Sequence, residues 1–159
     1  MSYILSDKTG NSCVFCQKLA QGPEHDRENY VLCRGLFTFA VLNLYPYNNG
    51  HLLLVLNRHA SLLGECSAEE LAEMAQLFGV MEQALTESYH PHGVNAGYNG
   101  GTPAGAGIPE HLHLHMLPRW SGDTNFMSTI GETRVMPLTL DQSYEKLQPV
   151  VARLVGDAG

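Results

Sequence analysis

Residues 111–117 read HLHLHML, three histidines in strict alternation with apolar residues. Successive side chains of a β-strand point to opposite faces of its sheet. As a strand, the run carries His111, His113 and His115 on one face and Leu112, Leu114 and Met116 on the other. The apolar face needs a helix to cover it; the imidazole face, with rings about 7 Å apart, needs a chemical explanation. A metal site, a nucleophile with helpers and a solvated polar face are the three choices. The chain has eight histidines, too few for three consecutive outward positions to fall to histidine by chance.

The remaining segments fit a sheet covered by helices. "ENYVLCR" and "LFTFAVLN" read as two short strands joined tightly near Gly35, and "YPYNNG" at 45–50 as a turn. "HLLLVLN" is a buried strand by its continuous apolar run. Ser67 caps a helix opened by Glu69 and Glu70. Its apolar stripe of Leu71, Met74, Leu77, Phe78, Met81 and Leu85 predicts about 22 helical residues. "GVNAGYN" is a further strand, followed by the glycine-rich loop "GGTPAGAGIP" and then the histidine strand. A terminal helix is expected from Asp141 to Leu154. Strands joined by tight turns imply a mainly antiparallel sheet, an α+β fold. The apolar side of the histidine strand is expected on the helix, leaving the histidines on the open face. At 159 residues the chain reads as one domain, 1–159, in which 120–159 form a C-terminal lid and helix.

A net charge of −7 with nine basic residues argues against nucleic acid as a partner. A small anion is still possible, because backbone N–H groups and imidazoles hold phosphate without lysines. No apolar run is long enough to span a bilayer and the N-terminus lacks a signal-peptide layout, so a cytoplasmic protein with no membrane partner is expected. In a reducing compartment Cys13 and Cys16 of "CVFC" read as metal ligands or a redox pair. The redox reading wants a thioredoxin-like βαβ setting, which this N-terminus lacks. Cys33 is expected to be buried and Cys66 to be a loop thiol.

Two chemistries compete for the imidazole stripe. Three histidines and a water can bind a catalytic zinc. One strand, however, sets the outer two about 13 Å apart, leaving only a two-histidine subset with a remote third ligand. In the second reading the middle histidine is a nucleophile. Imidazole is neutral near pH 7, attacks phosphorus well, and forms a labile P–N bond that an acceptor can discharge.

The run "HLHLHML" resembles the His-x-His-x-His-x-x signature of the histidine triad family of nucleotidyl hydrolases and transferases. "CVFC", "FAVLNLYPYNNGHLLLVLNRH" and the triad strand follow the family's order over most of the chain. "AGAGIPEHLHLHMLPRWSGDTNFM" is most similar to the bacterial diadenosine polyphosphate phosphorylase branch. The resemblance implies a five-stranded antiparallel sheet with a long helix and a C-terminal helix, paired as a homodimer. It also implies His113 as the nucleophile with its tautomer fixed by the His111 main-chain carbonyl, His115 as a contact to a phosphate oxygen, and His51 as a helper lining the same pocket. Asn43 matches the ribose contact; Asn99 and the loop to Gly107 match the phosphate-facing segment. Hydrolytic members usually carry glutamine four residues before the first triad histidine, and here that position is Gly107. The missing amide leaves space for an acceptor larger than water, such as inorganic phosphate. Zinc-bearing members complete a structural site with the equivalents of His59 and His111, giving Cys13, Cys16, His59 and His111.

The loop "NGGTPAGAG" is not a P-loop, since no Gly-Lys-Ser/Thr follows. Its position before the triad strand suggests a phosphate cradle of backbone amides. Trp120, Asp123, Asn125 and Phe126 read either as a lid packing on the core or as a loop touching a second nucleotide or acceptor phosphate. His25, His90 and His92 read as surface residues. The expected substrate is an adenine dinucleoside polyphosphate, with a mononucleotide as the smaller alternative. The expected chemistry is phosphorolysis, with hydrolysis of dinucleoside polyphosphates or adenosine phosphoramidates as the alternative.

Overall fold

The computed structural model describes residues 13–124, 130 and 137–157. Helix α1 (Val14–Ala20) and the short α2 (Asp26–Asn29) precede strands β1 (Val31–Arg34), β2 (Thr38–Leu42) and β3 (Leu52–Leu56). The long helix α3 (Ala68–Tyr89) leads to β4 (Gly93–Tyr98), β5 (His113–Arg119) and the C-terminal helix α4 (Leu140–Asp157). The five strands form one antiparallel sheet in the order β1-β2-β3-β5-β4. The architecture is the expected α+β class.

Several expected boundaries differ, and the histidine strand begins only at His113, leaving His111 and Leu112 ahead of it. Glu28 and Asn29 close α2 instead of opening a strand, because Tyr30 takes the left-handed conformation (φ 58°) that ends the helix. The C-terminal helix starts one residue earlier than expected and runs three residues longer, to Asp157. The long helix spans 22 residues; Ser67 Oγ accepts from Glu70 N–H, and the Glu70 carboxylate accepts from Ser67 N–H in return.

Strand β3 is apolar throughout because it is buried on both faces. Leu52 and Leu54 join Leu85, Met81 and Met116 in the main core beneath α3 and α4. Leu53 and Val55 turn the other way, into a second cluster with Phe39, Val41 and Phe15 of α1. That second layer corrects the expected open face. His111 and His113 are 1% and 6% exposed, because α1 lies over the histidine side of the sheet.

Candidate active site and metal centre

Strand register brings the catalytic candidates together. His113 pairs with Val55 and His115 with Leu53 across the β3–β5 ladder, so the two imidazoles share a face with ring centroids 5.1 Å apart. His51 immediately precedes β3 and enters from the turn that ends at Gly50. Gly50 has φ 79°, and a Cβ there would lie 2.8 Å from the Tyr89 ring, so the turn requires glycine. His51 is 1% exposed, and its Nε2 lies 3.0 Å from His115 Nδ1. Asn43 joins the group: its side-chain amide is 3.4 Å from either ring nitrogen of His51, and its N–H donates to the His51 carbonyl at 2.9 Å.

Hydrogen bonding fixes the proton on the middle histidine. Nδ1 of His113 lies 2.7 Å from the main-chain carbonyl of His111. A carbonyl only accepts, so Nδ1 bears the hydrogen and the lone pair resides on Nε2. Burial lowers the pKa of His113 against the opposing effect of that hydrogen bond. Burial, and then the neighbouring His113, lower that of His115. Both rings are therefore neutral at pH 7, the state a nucleophile requires.

The first triad histidine faces elsewhere. Cys13 caps α1, Cys16 follows within its first turn, His59 follows β3 and His111 precedes β5. One donor atom from each of the four lies within 4.8 Å of all the others. Cys13 Sγ is 3.1 Å from His111 Nδ1, and Cys16 Sγ is 3.4 Å from His59 Nδ1. His111 Nε2 donates to the Leu56 carbonyl at 2.7 Å, so its Nδ1 presents a lone pair to the sulfurs. Burial and the adjacent Cys13 push the Cys16 thiol up to about 11; two sulfurs this close ionise together only beside a cation. Two thiolates and two imidazoles make a closed donor set suited to a tetrahedral ion such as zinc. The triad thus splits: His111 turns to the cysteines while His113 faces His115, which in turn meets His51.

A HIT domain model matches residues 28–122 of the sequence. The chain belongs to the HIT, or histidine triad, family. It is 42% identical over 128 residues to the AP-4-A phosphorylase of Mycobacterium tuberculosis, covering 80% of this chain and 66% of that relative's length. It is 28% identical over 93 residues to the asymmetrical bis(5'-nucleosyl)-tetraphosphatase of Schizosaccharomyces pombe, covering 58% of this chain and 50% of that one. Among solved structures it resembles a zinc-bound histidine triad family protein from Mycobacterium smegmatis, with a TM-score of 0.73 and 26% identity over 94% of this chain and 99% of that one.

Within this HIT fold sequence reasoning passed over two side chains, one between the two centres and one against the histidines of the second. Phe15 sits between the two cysteines of "CVFC" and is 3% exposed. Its ring centroid is 5.3 Å from that of His111 and 5.2 Å from that of His113. Tyr47, read only as part of a turn, stacks 4.7 Å from His51 and 6.3 Å from His115. An apolar residue inside C-x-x-C and an aromatic four positions before His51 were the available signals.

The loop candidates stand differently. A Cβ on Gly105 would lie 3.9 Å from Asn99 Nδ2, and Gly107 is exposed. The N–H groups of Ala104, Gly105 and Ala106 donate to Gly101 and Thr102 carbonyls within the loop. Those three amides hold the loop's own turn, which narrows the expected phosphate cradle to the others. Trp120 packs edge-on against Tyr89 and Asp123 pairs with Arg119 four residues before it; Asn125 and Phe126 lie outside the described residues. All four cysteines are free, and Cys33 and Cys66 are half-buried. His90 and His92 are exposed; His25 is partly so. Among the described residues no helix is long and apolar enough to cross a membrane.

Proposed function

We propose that this chain is a nucleotidyltransferase that splits diadenosine tetraphosphate by phosphorolysis, through a covalent adenylyl group on His113. The observation that carries the reading is the 2.7 Å bond from His113 Nδ1 to the His111 carbonyl, which leaves Nε2 as a neutral nucleophile. Nε2 attacks the α-phosphorus; a P–N bond forms as the P–O bond to the β-phosphate breaks, and ATP departs with the electron pair. An oxygen of inorganic phosphate then attacks the same phosphorus, the P–N bond breaks, and ADP leaves. His115 contacts phosphoryl oxygen, His51 lines the pocket, Asn43 holds the ribose, and Asn99 and the loop to Gly107 face the phosphates. The likeness to a mycobacterial AP-4-A phosphorylase supports both substrate and acceptor.

Hydrolysis is the second reading, favoured by the likeness to the yeast tetraphosphatase. Gly107 decides us against it: glutamine in that position would crowd the acceptor, and glycine leaves room for phosphate. Product analysis with and without inorganic phosphate separates the two. ATP plus ADP only when phosphate is present supports phosphorolysis; AMP plus ATP in its absence makes the protein a hydrolase.

Cys13, Cys16, His59 and His111 are assigned as ligands of a structural zinc, supported by the convergence of their donor atoms and by the zinc-bound relative. Bound there, zinc would neutralise the two sulfurs and tie α1 to the one end of the sheet where β3 finishes and β5 begins. We also propose a cytoplasmic homodimer. Strand β4 is an edge of the sheet with Gly93, Asn95, Ala96 and Gly97 exposed, and such an edge suits pairing with a second copy. Light scattering in solution tests the dimer.

A further inference from the structure

His115, beside His113, and His51, beside His115, need defined protons as much as the nucleophile does. A neutral imidazole carries one N–H on either nitrogen, and the group facing each nitrogen decides which. The main-chain N–H of Tyr47 lies 3.1 Å from Nδ1 of His51. An amide N–H only donates, so Nδ1 accepts and the His51 proton falls on Nε2. That Nε2 is 3.0 Å from His115 Nδ1, so the bond runs from His51 to His115. Nδ1 of His115 then accepts, and its own proton falls on Nε2.

The loop that delivers this amide is braced on both sides. Tyr45 N–H donates to Asn43 Oδ1 at 3.0 Å, and Asn48 Nδ2 donates to the Pro118 carbonyl at 2.6 Å. The Tyr47 ring lies within 13° of parallel to the His115 ring and 39° from that of His51. Tyr47 therefore constrains both the hydrogen-bond polarity and the planes of two imidazoles while staying 50% exposed itself.

We propose that Tyr47 is a positioning residue for nucleotidyl transfer: its main-chain N–H sets His51, and through it His115, with the proton on Nε2. The inference rests on the function proposed above. Two backbone groups of opposite polarity then give neighbouring histidines opposite tautomers. The His111 carbonyl leaves a lone pair on His113 Nε2 for attack. The Tyr47 amide leaves an N–H on His115 Nε2, a donor for phosphoryl oxygen where charge develops. An inverted His115 would turn a lone pair toward that oxygen and repel it.

The ring-nitrogen ¹⁵N spectrum of the full chain labelled in histidine, recorded with its metal in place, tests this directly. The expected spectrum has His51 and His115 protonated on Nε2 and His113 on Nδ1. Tyr47→Ala, which keeps the N–H, is expected to preserve that pattern. Tyr47→Pro, which removes it, is expected to mix the His51 and His115 tautomers and lower turnover about a hundredfold, the smaller end of what a positioned proton donor contributes. A proton on Nδ1 of His51 or His115 in the wild type overturns the proposal, as does Tyr47→Pro with both tautomers unchanged. Should the proline variant fail to fold, the wild-type spectrum alone decides. No substrate is needed, so a mistaken choice of reaction leaves this readout intact.

Discussion

His111 touches both centres: its carbonyl accepts from His113 Nδ1 at 2.7 Å while its own Nδ1 lies 3.1 Å from Cys13 Sγ. One residue thus links the cysteine cluster to the proposed nucleophile, its ring on one side and its main chain on the other. Withdrawing the metal is expected to free the ring and loosen the carbonyl. Chelation, or Cys16→Ser, should lower the melting temperature by about 5 °C or more and reduce turnover in step with that loss. Zinc content, thermal melts and rates measured together check this. Immediate loss of activity with an unchanged melt would mark the metal as catalytic instead.

Phe15 is the wall behind both His111 and His113. Phe15→Ala is expected to cost about 3–5 kcal/mol of stability, the usual range for emptying a buried aromatic site. Phe15→Leu should cost less and keep more activity. Denaturant unfolding gives the first quantity and kcat the second; an alanine variant as stable as the wild type would show that α1 does not pack as described.

The pH dependence follows from His115, whose pKa burial and His113 hold below the ordinary 6.5. Between that lowered value and 6.5 the unfolded chain binds more protons than the folded one, so stability rises with pH there. Its contribution is complete above 6.5 and is lost as pH falls toward the lowered pKa. Protonated His115 would also put a second N–H against His51 Nε2. Turnover is therefore expected to stay level from pH 8 to 6.5 and decline only below. A midpoint of decline at or above 6.5 would contradict the buried, neutral ring.

Gly107 carries the choice of acceptor. Gly107→Gln is expected to raise AMP formation without phosphate and to reduce ADP formation with it. Chromatographic quantitation of the three nucleotides measures both. An unchanged product ratio would remove Gly107 from the account of specificity.

The alternation from His113 to Met116 and the stripe from Met74 to Leu85 were legible because their periods, 2 and 3.6, match the elements they form. His111 and Leu112 fall before the strand, and Leu71 is exposed. Positions expressed through the backbone were not legible. Nothing in "YPYNNG" says that the Tyr47 amide meets His51, and the bond from the His113 ring to the His111 carbonyl was expected from the family resemblance and not from "HLH" itself. The buried state of the histidines was hidden too. Their cover is α1, nearly 100 residues away in the chain, and a strand's pattern reports its two faces without saying what lies over each. Asn43 and His51 could be found from "NLYPYNNGH"; Asn99 and Gly107 sit in a glycine-rich loop whose path no period encodes.

The covalent step on His113 is the central claim. Rapid mixing with diadenosine tetraphosphate in the absence of phosphate, followed by quenching at high pH and intact mass measurement, tests it most directly. The expected result is one adenylyl group per active chain, mapped to His113 by fragmentation and discharged as ADP when phosphate is added. His113→Ala should show no adduct and a turnover lower by about 10⁶-fold, the usual cost of removing a nucleophile. Full turnover in that variant, or an adduct mapped to another residue, would contradict the assignment.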